Sequence, residues 1–357
     1  MRILILGSVA LPIPPPAQGG TEIIVYYQVK GLSEKGHKIM LVGPKGTSRN
    51  FKDTKVKVFE VGGGDVVAGS LREQKFDPEK TEGSRKLRLE MAYLAQVAKL
   101  VAEKSSDYDL ILNNMRGEAE FLPLAKILKK PFVNVAHLNI FEELAKLFSA
   151  YQTPLITISN SQRSDFPDLN YLATVYNGVD TSKYTFNNKA SDYLLMMGSI
   201  GRHKNQAAAI RVAKKLGMKL VLAGKIRDKD YFEELKKDID GVQIKWVGEM
   251  GFDQKLKLYQ EAKAFLFPIL WNEPFGLVMI ESLSCGTPVI AHRRGSTSEI
   301  LRDGLTGFLV ADEQMMIEAI KKIDKIKREV CRKHVEDNFT VEKMVDDYEK
   351  ALLRING

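Results

Sequence analysis

The chain has 357 residues, 44% hydrophobic and 27% charged; this sustains full hydrophobic cores and excludes a disordered, collagen-like or membrane-embedded protein. The length predicts two domains or one large one. A net charge of +8, from 53 Lys and Arg against 45 Asp and Glu, permits an anionic partner without naming one.

The first apolar run, RILIL at 2–6, stops at Gly7 and is soon followed by Pro12, Pro14, Pro15 and Pro16. It reads as a buried first strand, not as the core of a signal peptide. Helical spacing of Val25, Val29 and Leu32 predicts a helix over 21–35. Strands follow at 38–42, 109–113, 132–136 and 155–158, with a further helix over 84–104 that opens at Ser84, a favourable N-cap. After a polar stretch at 181–191 (TSKYTFNNKAS) the pattern restarts. Strands are expected at 193–197, 219–223, 243–247, 264–268 and 288–291, and helices at 205–216, 229–238, 253–262 and 340–355. Near-continuous apolar strands separated by helices imply parallel sheets covered on both faces. The predicted fold class is therefore α/β, with two doubly wound, Rossmann-like domains facing a cleft. In such sheets ligands sit beyond the carboxyl ends of strands, where helix N-termini collect anions, so a diphosphate-bearing ligand is favoured. A redox dinucleotide is disfavoured, because the first strand–helix turn runs from Gly7 to Gly19-Gly20 without G-x-G-x-x-G. The Gly62-Gly63-Gly64 run opens no evident helix and reads as a loop.

The most informative stretch is WNEPFGLVMIESLSCGTPVIA, residues 271–291. Glu273 and Glu281 stand eight apart, around the start of a helix near Phe275 or Gly276. Free N–H groups of its first turn would then lie between two carboxylates, one able to accept sugar hydroxyls and the other those of a ribose. Gly276 lets backbone approach a ligand. On the physics alone, an acidic pair complementing a helix dipole before a tight Gly-Thr-Pro turn is an equal reading. His137 ends a strand, a place where a lone histidine is more often a hydrogen-bonded structural residue. Lys225 also ends a strand, and exposed lysines are usually only solvated.

These motifs together resemble the retaining glycosyltransferases of family four, which have the GT-B fold. The resemblance covers essentially the whole chain. It rests on E-P-F-G-L-x-x-x-E, C-G-T-P-V-I-A, R-R-G-S with Glu299, and D-G-x-T-G-F-L-V. Weaker matches are Gly19-Gly20-Thr21-Glu22, Gly36-His37, the N-G-V-D at 177–180, and Gly198 with Lys204. By position, the resemblance implies that Glu273 contacts the transferred sugar and organises the reacting centre, and that Glu281 holds the donor ribose. The backbone of Phe275, Gly276 and Leu277 would meet sugar hydroxyls and diphosphate. Lys204 would neutralise the leaving diphosphate, with Gly20 bringing backbone N–H to the same phosphates. The family commonly places a histidine at the position of His137, near the anomeric centre, and Lys225 has a similar standing. The stretch from Trp246 through Gly248 to Glu249 would line the base, whereas Trp271 reads as packing. Ser199 stands where the family has arginine, and Arg202, three residues on, is the candidate replacement.

The implied domains are 1–184 for the acceptor, 185–339 for the nucleotide sugar, and a C-terminal helix, 340–357, crossing back to the first domain. The implied activity is retaining transfer of a hexose from a UDP- or GDP-linked sugar to a glycan, glycolipid or small-molecule hydroxyl. The co-substrate is the nucleotide sugar; no metal or other cofactor is expected, and no nucleic-acid partner. The alternatives are a GT-B epimerase, a pyridoxal-dependent phosphorylase, or a non-catalytic sugar-nucleotide-binding protein. The five histidines show no metal-ligand spacing, and there is no nucleophile elbow or Walker loop. Only Cys285 and Cys331 are present, which argues for a reducing, cytoplasmic location. The acceptor would be read by loops 8–20 and 60–82. The basic excess, the apolar 11–17 loop and helix 84–104 allow a lipid-linked acceptor and peripheral contact with the inner membrane face.

Overall fold

A computed structural model describes residues 1–16, 19–62 and 82–356. Most of the expected acceptor loop 60–82 and part of loop 8–20 lie outside the described residues. The chain divides into two units: Met1–Ile158 with Arg163–Val175 and the segment from Met344 onward, and Ser159–Gln162 with Tyr176–Lys343. The division at 175/176 falls ahead of the polar stretch, because Tyr184 and Asn187 are hydrogen-bonded into the second unit at Glu281 and Cys285.

The first unit runs β1 (Arg2–Leu6), α1 (Gly20–Glu34), β2 (Lys38–Pro44), β3 (Lys57–Val61), α2 (Glu82–Glu103), β4 (Leu110–Asn113), α3 (Phe121–Leu128), β5 (Phe132–Ala136), α4 (Glu142–Tyr151), β6 (Leu155–Thr157) and β7 (Tyr171–Thr174). Its seven strands pair in parallel in the order β3-β2-β1-β4-β5-β6-β7. Strands β1, β4 and β5 are buried along nearly their whole length, as strands covered on both faces must be. Around Leu4, Leu6, Val97, Ile111, Phe121 and Phe148 they build one core. Helix α2 has already begun at Glu82, so Ser84 lies inside it and does not cap it.

The second unit holds β8 (Tyr193–Met197), α5 (Gln206–Leu216), β9 (Lys219–Ala223), α6 (Lys229–Lys236), β10 (Ile244–Trp246), α7 (Phe252–Glu261), β11 (Ala264–Phe267), α8 (Leu277–Ser284), β12 (Val289–His292), α9 (Thr297–Ile300), β13 (Gly307–Val310), α10 (Glu313–Lys321) and α11 (Arg328–Asn338). Six parallel strands follow the order β10-β9-β8-β11-β12-β13. Helix α5 stops at Gly217, whose left-handed φ of 66° suits a C-cap. Asp228 caps α6 by accepting the Tyr231 N–H at 3.0 Å.

Helix α12 (Val341–Asn356) leaves the second unit and joins the first from Met344 onward. It buries Val345, Tyr348 and Leu352, and Glu349 accepts from Lys35 and His37, each at 2.9 Å.

Candidate active site

In both sheets the chain reverses direction across the centre, between β1 and β4 and between β8 and β11. The carboxyl ends of such neighbouring strands form the crevice in which open α/β sheets hold ligands. The second unit places a charged pair there. Lys204 closes the short turn Arg202–Lys204 after β8, and Glu273 follows β11. Lys204 Nζ donates to Glu273 Oε2 at 2.8 Å, and the indole Nε1 of Trp271 donates to the same oxygen at 3.0 Å. The ammonium also lies 5.2 Å from the Trp271 ring centroid and 5.4 Å from that of Phe267, a cation over two aromatic faces. With side chains 16% and 12% exposed, the pair is shielded yet reachable. Among the described residues nothing bonds Oε1 of Glu273, which stays available as an acceptor.

The loop after Glu273 is fastened from α9: Ser296 N–H donates to the Glu273 carbonyl at 3.0 Å, and Ser296 Oγ to the Phe275 carbonyl at 2.7 Å. The Phe275 ring is buried against Tyr176 and Phe339, so only its backbone remains for a ligand. Gly276, with φ 86° and ψ 62°, is the N-cap of α8. Any side chain there would put a Cβ 2.6 Å from Met279 Cε, and L residues rarely adopt that backbone. The first turn of α8, from Leu277, therefore presents N–H groups without intrahelical partners at the positive end of the helix.

Glu281 lies one turn further and is not a free carboxylate. Its Oε1 accepts from Tyr184 OH at 2.6 Å and Lys255 Nζ at 2.8 Å, and its Oε2 from Tyr259 OH at 2.9 Å. Burial pushes the Glu281 carboxyl up, but Lys255 beside it and the tyrosine hydroxyls outweigh this and hold it below the ordinary carboxylate range. A carboxylate has about four lone-pair positions; three are filled, which leaves room for one further donor such as a hydroxyl.

The glycine-rich loop after β8 departs from expectation. Ser199 is engaged through its carbonyl, which accepts from Gln206 Nε2 at 3.0 Å. Arg202 does not join Lys204: its exposed guanidinium binds Glu234 on α6, lies 3.8 Å from Asp228 and sits over the Tyr231 ring. Two acidic partners nearby capture it, so the proposed replacement for Ser199 points elsewhere. Lys225 is exposed and accepts from Ile200 N–H at 2.9 Å through its carbonyl. The Gly248 carbonyl accepts from Gly224 N–H at 2.7 Å, and Glu249 is exposed.

In the first unit Gly20 is the exposed first residue of α1, after β1. Two residues on, the buried Glu22 accepts from Ser8 Oγ at 2.6 Å. His137 follows β5 and bonds Asn114 Oδ1 through Nε2 at 2.8 Å. Burial pulls its imidazole down to about 4, so it is neutral at physiological pH. Both cysteines are buried and free, and burial pushes each thiol up to about 12, which makes neither a nucleophile. Among the described residues no cluster of three His, Cys, Asp or Glu side chains could hold a metal. The sequence reading missed Trp271, Lys255, Tyr184, Tyr259 and Asn114. Only the four-residue spacing of Lys255 and Tyr259 on one helix face carried a signal.

Residues 181–337 match the family model described as glycosyl transferases group 1. The O-antigen chain mannosyltransferase RfbU of Salmonella typhimurium is 26% identical over 169 residues, 46% of this chain and 48% of that protein. A glycogen synthase of Mycobacterium tuberculosis is 24% identical over 343 residues, 86% of this chain and 81% of that one. The chain thus spans about half the length of some curated relatives it matches and most of others. HepE of Anabaena, solved in complex with UDP and glucose, shares the fold at a TM-score of 0.74 and 18% identity, over 99% of this chain and 100% of HepE. Residues 181–337 thus resemble the glycosyl transferases group 1, and the two Rossmann-like units have the GT-B fold.

Proposed function

We propose that the protein is a retaining glycosyltransferase that moves a hexose from a UDP- or GDP-linked sugar to a hydroxyl of a glycan, glycolipid or small-molecule acceptor. The observation that carries this reading is the Lys204–Glu273 pair beside the N-terminus of α8. Departure of a nucleoside diphosphate builds negative charge on a phosphate oxygen, and an oxocarbenium-like centre loses electron density at the sugar. The Lys204 ammonium and the first-turn N–H groups of α8 meet the first charge. The Glu273 carboxylate, held by Lys204 and Trp271, accepts sugar hydroxyls through its remaining oxygen and orients the ring. These groups supply the positive charge from the protein itself, so the reading needs no metal. The acceptor attacks on the face from which the diphosphate leaves, and the leaving phosphate takes its proton. Glu281 receives a ribose hydroxyl in the acceptor position left open by Tyr184, Lys255 and Tyr259. The second unit binds the donor and the first binds the acceptor. The reaction runs in the cytoplasm; a lipid-linked acceptor would be reached at the inner membrane face, a glycan or small-molecule acceptor in solution. HepE has been solved with UDP-glucose as well as with UDP and glucose, which supports a nucleotide-sugar donor.

Calorimetric titration of UDP, GDP and ADP into the wild type and Glu281→Gln tests the reading. Selective binding of one nucleotide, weakened at least tenfold in the variant, is expected. Absence of binding by all three overturns it. The capture of Arg202 by Glu234 favours a second reading, a sugar-nucleotide-binding protein without turnover. Donor binding with no transfer and no donor hydrolysis would select that one.

A further inference from the structure

The carboxyl ends of β4 and β5 carry a buried polar network that the proposed chemistry does not account for. Asn113 and Asn134 face each other across the two strands, and Asn113 Nδ2 donates to Asn134 Oδ1 at 2.6 Å and to the Met115 carbonyl at 3.0 Å. Asn113 Oδ1 in turn accepts the Met115 N–H at 3.1 Å, a side-chain turn that mimics a backbone one and sets the path of residues 113–115. The Asn114 N–H is tied to the Leu6 carbonyl at 2.8 Å. Between these fixed points Asn114, 4% exposed, bonds His137 through Oδ1, while its own Nδ2 is buried with no partner among the described residues. A buried orphan amide donor is unfavourable, and an apolar residue would avoid it.

Among the described residues Asn114 is the only side chain bonded to the His137 ring. No charged group contributes to its depressed pKa, which burial alone explains. A neutral imidazole has one donor and one acceptor nitrogen. An amide oxygen can only accept, so the proton sits on Nε2 and Nδ1 carries the lone pair.

We propose that Asn114 is a positioning residue: through Oδ1 it holds His137 in the Nε2–H tautomer, so that Nδ1 serves as acceptor for a hydroxyl of a sugar bound beyond the carboxyl ends of β4 and β5. The role in sugar recognition rests on the glycosyltransferase reading; the control of the tautomer does not.

The two parts separate in one experiment on the full-length, 15N-labelled protein. Two-bond 15N–1H correlations, assigned by their loss in His137→Gln, report the tautomer directly between pH 6 and 8. The wild type is expected to show Nε2–H only, and Asn114→Ala a mixture of tautomers with the KM of transfer raised at least fivefold and kcat less affected. Asn114→Asp keeps an oxygen acceptor and restores the single tautomer. Its carboxylate also favours the imidazolium, so transfer loses activity on the acid side at a higher pH than in the wild type, a displacement that a packing role would not produce. Should Asn114→Ala fail to fold, Asn114→Ser serves in its place. An Nδ1–H wild type, or a folded Asn114→Ala with an unchanged tautomer, overturns the proposal. A wild type that binds no nucleotide overturns the sugar contact together with the glycosyltransferase reading, while the correlations still decide the control of the tautomer.

Discussion

Gly295 and Glu273 touch backbone to backbone: a Cβ at Gly295 would sit 2.4 Å from the Glu273 carbonyl oxygen and 2.5 Å from its nitrogen. Gly295 also has a φ of +57°, which side-chain-bearing residues rarely adopt. The R-R-G-S motif is therefore the floor on which the Glu273 carboxylate stands. Gly295→Ala should lower stability by about 2–4 kcal/mol and abolish nucleotide binding, since strain of this kind costs about 1–3 kcal/mol before any clash is relieved. Gly304→Ala is the control: its φ is +76° but no atom lies within 4 Å. It should cost about 1 kcal/mol in a urea melt and leave binding intact.

Replacement of Lys204 by Ala should depress transfer at least tenfold, about 1.4 kcal/mol of transition-state stabilisation, and an unchanged rate would remove Lys204 from the mechanism. Trp271→Phe keeps an aromatic face under the ammonium but removes the donor to Glu273. Loss of one hydrogen bond, about 0.5–1.5 kcal/mol, predicts a fall of about threefold to tenfold. Initial rates with the donor identified by calorimetry check both.

The buried Glu281 cluster predicts a pH signature. In the wild type its carboxyl lies below the ordinary 4.5, so its contribution to stability is complete above that pH and is lost as pH falls through the folded value. Lys255→Met leaves burial opposed only by two hydroxyls, which raises the folded pKa above the unfolded one. The variant should be about 2–4 kcal/mol less stable than the wild type at pH 7. That deficit should shrink as pH falls toward 4, where protonation relieves the buried charge. Denaturant melts at a series of pH values measure it, and a deficit independent of pH would contradict the assignment.

Helix α12 meets α1 at a place with no spare volume. A Cβ on Gly31 would lie 2.5 Å from Val345 Cγ2 and 2.7 Å from Cγ1. Gly31→Ala should thus destabilise by about 1–3 kcal/mol through overpacking, although alanine is the better helix former. Adding Val345→Ala should recover part of the loss. Removal of residues 344–357 deletes the buried Val345, Tyr348 and Leu352, each contributing about 1.5–3 kcal/mol of burial, bares the apolar surface they cover on the first unit, and should leave the chain aggregated. Thermal melts and light scattering follow both series.

Where a strand is covered on both faces its boundaries could be read directly: FVNVA at 132–136, YLLMM at 193–197 and KLVLA at 219–223 agree with the structure residue for residue. Strand β7 escaped notice because it is an edge of the first sheet and is half-buried along its whole length, so no continuous apolar run marks it. Within the site, the carboxylates and Lys204 were legible because their motifs are local. Their partners were not. Lys255 reaches Glu281 from another helix, and Asn114 finds His137 only because β4 and β5 are neighbours. Arg202 illustrates the converse, a residue with the right charge and spacing whose nearest acids, Glu234 and Asp228, are supplied by the fold.

The chain enters and leaves its second unit side by side. Val179 N–H donates to the Phe339 carbonyl at 2.9 Å, and Val341 N–H to the Val179 carbonyl at 3.2 Å. The segment that matches the glycosyl transferases group 1 model, 181–337, is thus a cassette whose two seams are already stitched together by backbone hydrogen bonds. A recombination event, or a designer, that cuts just outside this pair can lift the cassette out and insert another with no gap to span. The terminal helix would still thread back to its place on α1, so such a chimera inherits one unit's cargo and the other's scaffold unchanged.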